Sequence, residues 1–581
     1  MRPTPRVVRR ALLVVGVLGL LLLALLAWIG VRAVQVKGDL ESARGALTGL
    51  DADPAELAAS VDLVRLAAEE TSSAVRRTGD PVWRLAEHVP WLGDDLYAVR
   101  VVAVAADAVA RGAVLPLVSE PEALDPASLR LPEGGVDLAA LSRTGDLVQR
   151  ADALAVSAAA DVGGIDRSGL TGPVDDAVAD MSAALDDLVR RTGPLARAVR
   201  LVPPMMGADG TRRYLLAFQN PAEARGTGGI VGLWSVLELD EGRLHIVETG
   251  ANNDLPKLAA PPADLGPEYA ALWGLRPSVS DNMTMSPHFP YAAQQLLALW
   301  RSFRGEQLDG VVSMDPVALA YLLDGTGGIE LASGEEVTAE NVVELTLDEV
   351  YRRYEGDQSA RRDYLAEMVD AVFATLTGPG SDPADLLRGL SHGTSERRLM
   401  IYSADADEQA DLVAGGLAGT LPDARSSVGV VVNNAGANKL DYYLDRSVAY
   451  VPGCHGEPAT LTLVLGNAAP LSGLPSYIDA HRIPELEATP STSRLLVSAY
   501  VPGTTGLDGF AVDGEARPVS AGRELGYSVL TATVDVPAGA ELDLVWTLDA
   551  SGSPPVTDLF GQPLVRPIAI DLASTSTGCR E

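Results

Sequence analysis

Six histidines and two cysteines are all that this chain of 581 residues carries. It contains no C-x-x-C, no H-E-x-x-H and no G-x-S-x-G elbow, which excludes the common zinc and serine-nucleophile designs. Aromatic residues make up only 5%. Basic residues are also short: 45 Lys and Arg face 78 Asp and Glu, giving a formal net charge of −33. That balance excludes nucleic acid as a partner, because phosphate binding needs a basic surface. The acid is spread thinly, as on a solvated surface. Lysine is nearly absent beside arginine, a coding bias rather than chemistry. Long uncharged apolar runs are scarce as well, and the reading along the chain finds one.

That run is "ALLVVGVLGLLLLALLAWIGV", Ala11 to Val31. At about 1.5 Å per residue it spans roughly 30 Å of hydrocarbon. Arg2, Arg6, Arg9 and Arg10 precede it, so the positive-inside rule puts 1–10 in the cytoplasm and the rest outside. A cleaved signal peptide is the alternative, but its apolar region is shorter and ends in a small-x-small site, whereas this one ends in "WIGVRAVQV". The expectation is a retained single-pass anchor. Outside the cytoplasm, Cys454 and Cys579, which flank the last apparent domain, form either one bridge or two independent thiols, and the compartment favours the bridge.

A chain of this length exceeds one core. Residues 32–200 read as a helical bundle or stalk. Val174, Val178, Met181, Leu185 and Leu188 form a helical stripe behind Pro173, and Leu57, Val61, Val64 and Ala68 form another. "YAVRVVAVAADAVARGAVLPL" is apolar nearly all round, as a buried helix is. Residues 207–421 alternate strands such as "RRYLLAFQN" and "GVVSMDP" with helices such as "PYAAQQLLALWRSF" and "ARRDYLAEMVDAVFATLTG", an α/β pattern. From 436 to 581 the period falls to two, in "ATLTLVLGN", "SRLLVSAYVPG" and "ELDLVWTLDAS", the pattern of a β-sandwich. The expected fold is therefore multidomain: transmembrane helix, extracytoplasmic bundle, central α/β domain and C-terminal sandwich.

Within the α/β part, "QNPAEARGTGGIVG" (219–232) packs one arginine against several glycines. No Gly-Lys-Ser/Thr follows, so it is not a Walker loop. "LWSVLELDEGRLHIVE" after it reads as two strands joined by a turn, so the loop joins strand to strand rather than opening a helix. It is either a sharp turn or an anion-facing loop. The glycines outnumber what a hairpin needs, which supports the second.

In order, "PWLGDDLYAVR", "LLAFQNPAEARGTGGIVG", "DNMTMSPHFPYAAQ", "LDGVVSMDPVALAYLLDGTGGIEL" and "NNAGANKLDYYLDR" resemble the bacterial domain-of-unknown-function family 4012, over nearly the whole chain after the anchor. More distantly, "LDGVVSMDPVALAYLLDGTGGIEL" with "TAENVVELTLDEVYRRYEGDQSARRDYLAEMVDAVFATL" is similar to the core of the LytR-CpsA-Psr family. Those are single-pass extracytoplasmic enzymes that move glycopolymers from polyprenyl-pyrophosphate carriers to the cell wall. The resemblance implies a pyrophosphate site made of Arg225, Gly226, Gly228 and Gly229 with Arg352 or Arg353 and Arg361 or Arg362. Guanidinium forks suit such an anion, and on one continuous helix Arg353 and Arg361 share a face. The bland reading of "RRYEGDQSARRD" is a solvated charged turn.

The family places an acidic residue soon after its loop arginine to hold magnesium. Here Gly-Thr-Gly-Gly follows Arg225. Asp254 or Asp281 would have to substitute, with Asp357 nearby, so Mg2+ is an open expectation. His288 in "SPHFP" is expected to be structural. Two functions remain: a membrane-anchored envelope protein that binds, or binds and transfers, a polyprenyl-pyrophosphate-linked glycopolymer, and a non-catalytic envelope scaffold. On the first, Arg225→Ala weakens pyrophosphate binding and leaves the fold intact.

Overall fold

The computed structural model describes residues 5–47, 60–120, 126–132, 134–325, 327–378, 382–453, 457–479 and 491–573, and the side chains of 5–24, 47, 126, 127 and 383 stand outside that description. Cys454 and Cys579, and the bridge expected between them, lie outside the described residues. The chain divides into a helical unit, which ends at Pro204, and a larger unit from Met205 onward, which also takes in Leu131–Gly135.

In the helical unit, α1 (Pro5–Leu47) runs without a break through the apolar Ala11–Val31 stretch and beyond it. From Leu25 its inner stripe, Leu25, Ile29, Ala33, Val36 and Leu40, follows helical spacing and packs on Trp83, Ala86 and Leu96. The last two turns of the apolar run therefore belong to the bundle as well. Next come α2 (Val61–Thr78), α3 (Pro81–Ala86) and α4 (Gly93–Ser119), with a π-helical stretch at Ala108–Val114 inside α4. α5 (Leu138–Gly163) and α6 (Gly172–Met205) complete the bundle. The α6 stripe behaves as its sequence indicates: Val178 and Leu185 are buried, and Val174 and Met181 pack against them. One expectation is corrected. α4 is also long and apolar enough to cross a membrane. About a third of its apolar stretch is buried in the bundle, where Ala98, Val102 and Ala105 meet Ala158, Val162 and Leu185. A run of small apolar residues reads alike in both settings.

The larger unit starts with a mixed five-stranded sheet in the order β3-β2-β1-β4, then β7. β1 (Arg212–Arg225), β2 (Gly228–Asp240) and β3 (Arg243–Ala251) form an antiparallel meander. β4 (Gly310–Met314) lies parallel to β1, and β7 (Leu399–Ser403) closes the edge. A short hairpin, β5 (Ile329–Glu330) and β6 (Glu336–Val337), lies apart from the sheet. "DEGR" makes the β2–β3 turn, with Glu241 and Gly242 both left-handed (φ 48° and 83°), as a tight hairpin requires.

Helices cover both faces. α7 (Pro267–Trp273) precedes α8 (Phe289–Arg304), which covers one face and sets Trp300 edge-on to Trp234 at 5.1 Å. On the other face, α9 (Pro316–Leu323), α10 (342–353) and α11 (Gln358–Thr377) pack Leu322, Val350, Met368 and Val372 against Tyr214, Leu216 and Leu237. α12 (Pro383–Ser395) and α13 (Ala406–Ala414) follow.

The sandwich has two sheets. One holds β12 (Gly506–Val512), β16 (Glu541–Asp549), β10 (Ala459–Asn467), β9 (Leu444–Val451) and β18 (Ile568–Leu572), with β13 (Glu515–Ala516) at its edge. The other holds β14 (Ser520–Glu524), β15 (Tyr527–Val536), β11 (Ser493–Pro502), β8 (Ser427–Asn434) and β17 (Asp558–Gly561). β10 alternates strictly between buried and half-buried residues, the period of two in "ATLTLVLGN". Its Leu461, Leu463 and Leu465 meet Leu495, Val497 and Trp546 in the core. β8 begins at Ser427, ahead of the 436 boundary read from sequence, and is buried along its whole length.

His288, just ahead of α8, shows how the layers are tied. Its Nδ1 accepts a hydrogen bond from the Leu421 amide at 3.2 Å, so the ring is neutral. Burial, helped by the Arg397 charge, pushes its pKa down to about 4 from 6.5. Between those values the unfolded chain binds the extra proton. The stability due to neutral His288 is therefore present above pH 6.5 and lost as pH falls towards 4, by roughly 3 kcal/mol at most. Denaturant titrations at several pH values should show this slope in the native chain and a flatter one in His288→Gln.

Candidate functional site

The glycine-rich loop lies at the end of β1, where the strand leaves the α/β sheet. Two register shifts, after Phe218 and between Asn220 and Ala224, break the β1–β2 ladder, and Pro221 sits in the break. Beyond it the hairpin tip enters the sandwich. Ala224 belongs to the sandwich core, and the Arg225 carbonyl accepts from Gln562 Nε2 at 2.9 Å.

Arg225 is 4% exposed, and all five of its guanidinium donors are taken. Nε donates to the Asp281 carbonyl at 2.9 Å. Nη1 donates to the carbonyls of Ala224 and Asn434 at 2.9 and 3.1 Å. Nη2 donates to Glu223 Oε1 at 3.2 Å and Asn282 Oδ1 at 3.4 Å. The glycines serve the same packing. A Cβ on Gly229 would stand 2.2 Å from the Asn220 carbonyl, and one on Gly226 would stand 2.2 Å from that of Met285. Gly228 has φ 136°.

"NNAGANKLDYY" supplies the other half of this junction. Asn433 Oδ1 accepts from the Gly226 amide at 3.1 Å, and Asp441 Oδ2 accepts from Ala224 N at 2.8 Å and Asn434 Nδ2 at 2.7 Å. Burial raises the Asp441 carboxyl above its ordinary value. Lys439 Nζ donates to Glu223 Oε2. Burial alone would lower the Lys439 ammonium, yet its pKa is held above the ordinary value with the help of the Glu223 carboxylate beside it.

Beside this junction is a cavity of about 200 Å3, bounded by the ends of β1 and β2, by α9, α10 and α11, by Lys439 from the β8–β9 connection and by Tyr477 from the β10–β11 connection. One part is apolar, with Phe218, Ile230, Leu233, Leu319, Leu347, Leu365, Met368 and Val369. The other is polar, with Gln219, Asn220, Glu223, Asn252, Asp281, Gln358, Arg361, Arg362 and Lys439. Thr346 and Leu347 reach it from a π-helical turn, Leu345–Glu349, a feature frequent at functional sites. The volume exceeds the ~150 Å3 that admits benzene in an engineered cavity and falls short of a drug-sized pocket.

Arg361 is the unusual group here. It is 7% exposed, and its guanidinium carbon lies 4.0 Å from the Tyr477 ring centre and 5.1 Å from that of Tyr351. Those two rings stack at 5.2 Å, and Tyr351 Oη accepts from Asn220 Nδ2 at 2.7 Å. Among the described residues the Arg361 guanidinium donates no hydrogen bond and forms no ion pair. Stacking offsets part of the cost of burying this charge, and its donors remain for another acceptor.

The expected arginines do not converge. α10 ends at Arg353, Gly356 turns the chain with φ 82°, and Asp357 caps α11 by accepting from Ala360 N. The stretch "RRYEGDQSARR" is therefore a turn between two helices, and the face that one continuous helix would give Arg353 and Arg361 in common does not form. Arg353 pairs with Glu335 at 2.7 Å and with Glu349 at 2.6 Å, and Arg352 with Asp348 at 2.7 Å. Neither lines the cavity, and nor do Arg225, Gly226, Gly228 or Gly229. Arg361 and Arg362 do, and Arg362 lies 3.4 Å from Asp254.

The carboxylates considered for magnesium are engaged separately. Asp254 accepts from Ala251 N, Asp281 from Asn252 Nδ2, and Asp357 caps its helix. No group of three metal-ligating side chains occurs among the described residues. This donor set does not fit a resident magnesium ion. Sequence reasoning missed Tyr351, Tyr477, Glu223 and Lys439. Tyr351, Glu223 and Lys439 lay inside quoted motifs; the Tyr351–Tyr477 stack carried no signal, because it joins residues far apart in the chain.

Residues 209–351 match the family described as Protein of unknown function (DUF4012). The match spans β1 to β4 and most of α10, and it stops short of Arg352, Arg361 and the sandwich. No similarity to a curated protein or to a solved structure is found.

The geometry reverses one expectation about stability. Arg225→Ala removes a buried cation and leaves carbonyl and carboxylate acceptors unpaired, so it should lower the unfolding free energy by about 3 kcal/mol or more. Arg361→Ala should cost clearly less. Denaturation midpoints of the two variants, compared with the native chain, check the order, and equal losses would contradict the clamp.

Proposed function

We propose that the central domain binds the head of an anionic lipid, of the polyprenyl-phosphate or polyprenyl-pyrophosphate class, in a chain anchored to the membrane by α1 with its bulk outside the cytoplasm. The observation that carries this reading is Arg361, buried and stacked on Tyr477 with its donors unengaged, at the junction of a polar and an apolar wall. A phosphate at the polar wall would accept from Arg361 and Arg362, with Lys439 behind. The first stretch of an apolar tail would run along Leu365, Met368 and Val369. The LytR-CpsA-Psr likeness points to the same ligand class, and a glycopolymer on that lipid would extend outside a cavity of this size.

Binding is the core of the proposal. Transfer would need a reactive centre, and the separate engagement of Asp254, Asp281 and Asp357 favours a binding or scaffold protein of the cell envelope over a transferase.

The test is binding of farnesyl pyrophosphate to the detergent-solubilised full chain by calorimetry. Arg361→Gln should weaken it by about 1.5–3 kcal/mol, the scale of a charge-assisted hydrogen bond, with little change in the unfolding midpoint. Arg353→Gln, on the far side of the helix break, should leave binding unchanged. No measurable binding by the native chain, or equal losses in both variants, would remove the proposal.

A further inference from the structure

We propose that the end of the helical bundle formed by residues 80–92 lies in the membrane–water interface, with Trp91 and Leu85 set among the lipid head groups. The inference rests on the anchoring role given above to α1. It comes from the direction of the chain. Arg77 pairs with Asp39 of α1 at 2.9 Å, and Asp80 pairs with Arg32 at 3.5 Å. As the chain advances from 77 to 80, its partner on α1 moves back from 39 to 32. Trp83 and Ala86 then pack on Ile29 and Leu25. The 80–92 segment is thus at the end of the bundle where α1 continues into its apolar run, so a bilayer crossed by α1 begins beside it.

This end carries what an interface takes. Trp91 is 88% exposed and Leu85 68%, while Trp28 on the adjoining α1 is 47% exposed with Arg32 stacked on it. Tryptophan, apolar with one polar edge, favours the head-group level, and arginine reaches the phosphates. Trp91 is also held in place. Its backbone is left-handed (φ 65°), an outlier for a bulky residue. The turn is closed tightly behind it: the Gly93 amide donates to the Val89 carbonyl at 2.8 Å, and a Cβ on Gly93 would stand 2.1 Å from the Glu87 carbonyl. Leu92, next to it, packs inward. A strained turn that presents an indole to solvent gains nothing inside the protein, so its partner lies outside, and the adjoining apolar helix makes that partner a lipid surface.

The experiment places the full chain in phosphatidylcholine nanodiscs brominated near the head of the acyl chains and reads tryptophan emission. Of the seven tryptophans, Trp28 and Trp91 should be quenched. Trp91→Phe should remove roughly half of the bromine-dependent quenching, as expected for two interfacial indoles, and Trp28→Phe the rest. Acrylamide should reach Trp91 less well in nanodiscs than in detergent. If the chain incorporates but Trp91→Phe leaves the quenching unchanged, and acrylamide reaches Trp91 equally in both, the turn faces water or another protein and this proposal is overturned. A chain that fails to incorporate at all overturns the anchoring reading along with it.

Discussion

The interior guanidinium of Arg225 is the constraint on which the larger unit depends. One side chain draws together the carbonyls of Ala224, Asp281 and Asn434 and the side chains of Glu223 and Asn282. These come from the end of β1, the loop before α8 and the end of β8, so a single planar fork fixes the α/β sheet, its covering layer and the sandwich at one point. Arginine suits this because its five donors have fixed directions. The glycines beside it are required for the same reason: backbone must approach backbone where Gly226 meets Met285 and Gly229 meets Asn220. The three sequence motifs around Arg225, Asn282 and Lys439 are one structural object seen in three pieces.

That junction also builds the cavity. The breaks in the β1–β2 ladder fall around Pro221, and Asn220 and Glu223 to either side of it both line the cavity. Glu223 is shared between Arg225 and Lys439, so both cations behind the wall are already ion-paired. Arg361 is not. The contrast between two buried arginines, one fully bonded and one stacked on tyrosine, separates a group that holds the fold from a group available to a ligand.

Much of the fold was legible because it follows from periodicity. The β10 alternation and the α6 stripe from Val174 to Leu185 reappear as read, and the "DEGR" turn and the strand-to-strand nature of the glycine loop follow from residue type alone. Boundaries set by tertiary pairing were not legible. β8 is buried on both faces and shows no alternation, and α4 is apolar for the bundle in the same way that a membrane helix is apolar for lipid. The site was half legible. Arg361 and Arg362 were named as candidates and line the cavity. Arg352 and Arg353 were named beside them, but the carboxylates of Asp348, Glu335 and Glu349 lie close enough to claim them.

The hardest distinction was between the two meanings of a glycine-flanked arginine. Glycines allow close approach, and the sequence does not say whether the approaching group is a phosphate or the protein's own backbone. What decides it is the number of acceptors nearby in space. Asp281, Asn282 and Asn434 stand 56 to 209 positions away from Arg225 along the chain, beyond the reach of local pattern. The same logic applies in reverse to Arg361. Its near neighbours in sequence, Asp357 and Asp363, are acidic and suggest a solvated ion-pair cluster. In the fold Asp357 turns to its own helix cap, and the guanidinium is left against two aromatic faces. A ring face attracts a cation without filling its donor directions. Burial is therefore tolerated while hydrogen-bonding capacity is kept, and an acceptor that enters the cavity, stripped of water by the apolar wall, meets donors that are not already paired.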